Sequence, residues 1–138
     1  MKKLIYLLIC FLVFISNANA VSFEHGEIEK ILLKLESQNI TYDMGEVKKD
    51  TIIRKVLVIK NKLDRALRLK EARSSCECMD AFMASKTIER NGIVEIQMEL
   101  DTTGFIGYNE DVIYILTDDL KYEVISVRIR THISEDNN

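Results

Sequence analysis

Val94-Glu95-Ile96-Gln97-Met98-Glu99-Leu100 and Ile125-Ser126-Val127-Arg128-Ile129-Arg130-Thr131-His132-Ile133 decide the fold. In the first, four apolar residues alternate with three polar ones. In the second, Ile125, Val127, Ile129, Thr131 and Ile133 alternate with Ser126, Arg128, Arg130 and His132. Successive side chains on a strand point to opposite faces, so each stretch has one apolar and one wet face. The apolar face has to lie on a second layer, which two antiparallel sheets packed face to face provide.

The same period of two extends toward the N-terminus. Ile40-Thr41-Tyr42 leads into Met44-Gly45. Thr51–Lys60 is rich in β-branched residues and ends in Asn61-Lys62-Leu63-Asp64, a turn-like connection. Leu67 and Leu69 continue the pattern, residues 86–90 make a short edge strand, and Asn91-Gly92 is a turn signal. Asp101-Thr102-Thr103-Gly104 closes the 94–100 strand, and Val112–Leu116 is a further apolar run ended by Asp118-Asp119. Six or seven strands, unbroken by helices, predict an all-β, immunoglobulin-like antiparallel sandwich over residues 39–134.

The flanks read differently. Ile28, Ile31, Leu32 and Leu35 fall at helical spacing within residues 21–38, so this amphipathic segment is either a short helix or an edge strand. Residues 135–138 are a polar tail. Residues 1–20 read as a cleavable signal peptide: Lys2 and Lys3, an apolar run from Leu4 to Ile15, then Ala18-Asn19-Ala20. That run is shorter than the roughly 20 residues a membrane-spanning helix needs, and Cys10 inside it lacks the small preceding residue of a lipoprotein signal. The expected location is therefore periplasmic or secreted, with cleavage after Ala20 and no membrane span afterwards.

Residues 1–20 carry two of the 19 Lys and Arg and none of the 22 Asp and Glu, leaving 17 against 22 and a net charge of −5. A mildly acidic surface with no basic run argues against nucleic acid as partner. No Ser/His/Asp set, phosphate loop or paired carboxylates of a glycosidase can be argued, and a non-enzymatic chain is expected. Asn39-Ile40-Thr41 fits a glycosylation sequon only by pattern. Met44 and Met98 suit core gap-filling, and His132 suits a solvated strand position.

The chemistry-bearing element is Ser75-Cys76-Glu77-Cys78. If extended, the two cysteines share a face; a disulfide between them needs a bent backbone. Three readings stay open. The sulfurs are buried or joined in a structural disulfide. Alternatively they exchange disulfides, although no histidine or helix N-terminus lowers a thiol pKa there and Glu77 and Asp80 oppose it. Or Cys76, Cys78, Met79 and Met83 bind a soft metal such as Cu(I); zinc fits less well, because four N/S ligands are expected and His25 and His132 are remote in sequence.

Together, Ile40–Val47, the strand closing in Lys60-Asn61, Ser75-Cys76-Glu77-Cys78, Gly92, Asp101-Thr102 and Gly107 resemble the exported bacterial family called domain of unknown function 1573. The resemblance covers about residues 39–133. It implies an immunoglobulin-like sandwich similar to the major-sperm-protein and ASH modules, which serve mainly in protein contacts. That points to a partner among cell-envelope or secreted proteins, and it carries no established activity. Three positions depart from the family pattern: Glu77 and Met79 stand where glycine and threonine are usual, and Asn91-Gly92 stands where Pro-Gly is usual.

Overall fold

The computed structural model describes residues 28–135. The expected signal peptide, Cys10, His25 and residues 136–138 lie outside them. Nine strands form the described chain: β1 (Lys30–Leu35), β2 (Asn39–Lys48), β3 (Ile52–Asn61), β4 (Leu67–Ser74), β5 (Met79–Met83), β6 (Thr87–Ile88), β7 (Ile93–Asp101), β8 (Gly107–Thr117) and β9 (Val124–Ser134). One sheet has the order β1-β3-β7-β5, the other β2-β9-β8-β4-β6. The two apolar faces meet in one core, with Leu57 and Ile96 from the first sheet and Ile113 and Val127 from the second fully buried. Burial alternates along β7 and β9 as the sequence pattern requires. No helix among the described residues is long and apolar enough to cross a membrane.

Two features depart from the sequence-based expectation, and one open alternative is resolved. The segment at 30–35 is an edge strand, the second of the two readings its sequence allowed. Leu33 and Leu35 face the core while Leu32 is 63% exposed, so a period of two, shared with Ile31, overrides the helical spacing. A strand at 79–83 was not expected: Phe82, 62% exposed, sits on its outer face and hides the alternation of Met79, Ala81 and Met83. Finally, two pairings are parallel. β1 runs parallel to β3 and β2 parallel to β9, while the remaining neighbours are antiparallel. After β1 the chain crosses to the other sheet through Glu36-Ser37-Gln38, so β1 and β2 cannot pair as a hairpin and each lines the edge of a different sheet.

Two buried polar residues hold the loops. Asn61 is fully buried. Its Nδ2 donates to the carbonyls of Arg65 (2.8 Å) and Glu89 (3.1 Å), and its Oδ1 accepts from Leu63 N–H at 3.0 Å. It thus ties the β3–β4 loop to the turn before β7. Thr102, also fully buried, accepts from Thr51 N–H at 3.0 Å, and its Oγ1 lies 2.8 Å from the Lys48 carbonyl, joining the β7–β8 and β2–β3 loops. Buried polar groups cost stability unless paired, and both are paired.

Candidate functional site

Cys76 and Cys78 lie in the loop through which the chain leaves β4 in one sheet and enters β5 in the other. They are not extended, and their sulfurs are joined in a disulfide, with the Cα atoms 5.2 Å apart. The bend has local causes. Ser74 Oγ accepts from Cys76 N–H at 3.1 Å and donates to the Cys76 carbonyl. The loop is also tied to both sheets: Ser75 N–H donates to the Val112 carbonyl and Val112 N–H to Ser75 Oγ, each at 2.8 Å, and Asp101 N–H donates to the Cys78 carbonyl at 2.8 Å. Both cysteines are half-buried against the core edge, and Glu77 between them is exposed.

Under the disulfide lies a group the sequence reading did not single out. Asp111 on β8 is only 7% exposed, and its Oδ2 is 4.0 Å from Cys78 Sγ. Asn109, two residues earlier and on the same inward face, donates to that oxygen at 2.5 Å. Burial raises the Asp111 pKa above the usual carboxylate range, with the Asn109 hydrogen bond opposing. The signal was available: Asp111 occupies the inward phase of the Ile113/Ile115 alternation. Opposite Asn109 on β9, Thr131 is buried and its Oγ1 has no hydrogen-bond partner.

Of the four sulfurs proposed from sequence, those of Cys76 and Cys78 are bonded to each other. Met79 is 2% exposed in the core, and Met83 lies four residues along β5, about 13 Å away at strand spacing. The sulfurs of Cys76 and Cys78 and a carboxylate oxygen of Asp111 do lie within 4.8 Å of one another. With the sulfurs bonded together, however, neither is a thiolate, the form that binds metal.

Where the start of β8 meets the end of β9 and the bulge of β2, a groove of about 530 Å³ is lined by Asp43, Glu46, Tyr108, Asn109, Arg130, Thr131 and His132 among others. Tyr108 is 88% exposed, yet its ring stacks on His132 with centroids 4.3 Å apart. Glu110 is clamped by Arg128 and Arg130, each at 2.9 Å, and hydrogen bonds from Arg130 and Arg128 hold its carboxyl below the usual range. The remaining lining charges, Asp43 and Glu46, are acidic. They stand at a bulge in β2 where Gly45 takes φ +73° and its N–H donates to Asp43 Oδ1 at 2.9 Å. A side chain there would be strained.

Two β-sheets, loops pinned by buried polar residues and a Cys-x-Cys crossover define an immunoglobulin-like all-β sandwich module. Residues 35–133 match the model of a family described as protein of unknown function (DUF1573), and the chain belongs to that family. No curated protein matches it. Among solved structures it is similar to a protein of unknown function from Porphyromonas gingivalis W83, at 15% identity and a TM-score of 0.55, over 75% of this chain and 47% of that one. It is also similar to the secreted serine protease VesC from Vibrio cholerae, at 10% identity and a TM-score of 0.53, over 66% of this chain and 21% of that one. The chain thus spans about half and about a fifth of these proteins, and the likeness is one of fold.

Proposed function

We propose that this chain is an exported, non-enzymatic module that binds another cell-envelope or secreted protein through the outer face of the five-stranded sheet. The observation that carries the reading is Tyr108: a large aromatic side chain left almost wholly in water, held in one orientation by His132, at the lip of an acidic groove. Exposed aromatics on a rigid strand are the residues that dominate binding energy at protein interfaces. Asp43 and Glu46 favour a partner segment carrying Lys or Arg, whose cation would sit against the Tyr108 ring. The N-terminal signal-like sequence supports export. Affinity capture from an envelope extract tests the proposal. A discrete partner held by the wild-type protein and lost on Tyr108→Ala and on Asp43→Lys supports it; equal capture by all three refutes it.

A second reading, thiol–disulfide exchange, is favoured by one observation: a three-residue disulfide ring lies directly over a buried carboxyl. Such a small ring constrains the unfolded chain little, so stabilisation alone explains it poorly.

A further inference from the structure

Resting on that second reading, we propose that Asp111 is the proton-transfer group of a redox-active Cys76–Cys78 pair, giving a proton to the Cys78 sulfur when the disulfide opens and taking it back when it closes. Asp111 Oδ2 is 4.0 Å from Cys78 Sγ and is oriented by the 2.5 Å hydrogen bond from Asn109. In the disulfide state Cys78 has no proton, so the approach is a bare contact; reduction turns it into an S–H facing a carboxylate.

The step balances. The thiolate of an external thiol attacks Cys76 Sγ, the Cys76–Cys78 bond breaks, and a mixed disulfide forms at Cys76. The departing Cys78 sulfur takes the carboxyl proton of Asp111, which becomes a carboxylate. A second external thiolate attacks the mixed disulfide, releasing the Cys76 thiolate and one molecule of oxidised external disulfide. In reverse, the Cys76 thiolate attacks a disulfide of an exported protein and Asp111 carboxylate removes the Cys78 proton. The Cys78 thiolate then closes on Cys76 and expels the client as a dithiolate, which takes its protons from solvent.

Asn109, which donates to Asp111, also lines the groove beside Tyr108, so the carboxyl lies next to space open to solvent. The charged groups around the site face elsewhere. Glu110, Arg128 and Arg130 pair with one another on the outer face, and Glu77, Asp80 and Asp101 on the loop and adjoining strand ends are exposed.

The test is the rate at which glutathione reduces the disulfide in the folded protein, divided by the glutathione thiolate concentration, across pH. In the wild-type protein this rate should fall about tenfold or more as Asp111 loses its proton. Asp111→Asn should abolish the fall. Asn109→Ala, which removes the hydrogen bond favouring the carboxylate, should move the fall to higher pH and serves if Asp111→Asn does not fold. The same profile in the wild-type and variant proteins would overturn the assignment of Asp111 alone. A disulfide that yields only in denaturant would overturn the exchange reading itself.

Discussion

Asp111 is buried 4.0 Å from the Cys78 sulfur, and it was placed there by the alternation that puts Ile113 and Ile115 in the core. A carboxylate in that position is stabilised by Asn109 but has lost most of its water.

The stability consequence has a definite sign. The folded pKa of Asp111 is raised, chiefly by burial, so the native state holds more protons than the unfolded state between the ordinary carboxylate pKa and the folded one. Stability therefore falls as pH rises through that window. Asp111→Asn should match the wild-type protein at acid pH and exceed it by about 1–2 kcal/mol at neutral pH. Thermal unfolding at several pH values checks this.

The disulfide should contribute little to global stability. A closed ring of three residues gives about 1.6 kcal/mol in the loop-entropy relation. The double change Cys76→Ser, Cys78→Ser should cost no more than about 2 kcal/mol, measured by urea unfolding, and should leave the β-sheet signal unchanged.

Asn61 should matter far more. Removing its side chain leaves the carbonyls of Arg65 and Glu89 and the Leu63 N–H without their partner in a fully buried place. Asn61→Ala should cost about 2–4 kcal/mol, again read by urea unfolding.

Much of this was legible beforehand. Strands 94–100 and 125–133 announced themselves through strict alternation, and Asn91-Gly92 marked its turn correctly: Asn91 takes φ +59° just before β7. The bend required for a Cys76–Cys78 disulfide also followed from spacing. Less could be read at the edges. Leu32 is apolar but faces water, which makes β1 look helical, and Phe82 does the same damage to β5. At the candidate sites, Asp111 reads as one acid among many until its phase on β8 is known. Tyr108 and His132 are 24 positions apart and meet only because β8 pairs with β9 in a register that sets them opposite each other.

Because Tyr108 is 88% exposed and its role is proposed to be in binding, Tyr108→Ala should leave the melting temperature within about 2 °C of the wild-type value, an exposed substitution falling within about ±0.5 kcal/mol. A larger loss would show that the ring supports the fold.

The most direct test of the central claim is photo-crosslinking in intact cells, with a photoreactive amino acid at position 108 and, as control, at position 120, where Leu120 is fully exposed in the β8–β9 loop, at the opposite end of β8 from Tyr108. The account predicts a discrete crosslinked protein from position 108, absent from position 120 and lost when Asp43→Lys is added. Identical patterns from the two positions, or a position-108 product indifferent to Asp43→Lys, would contradict it.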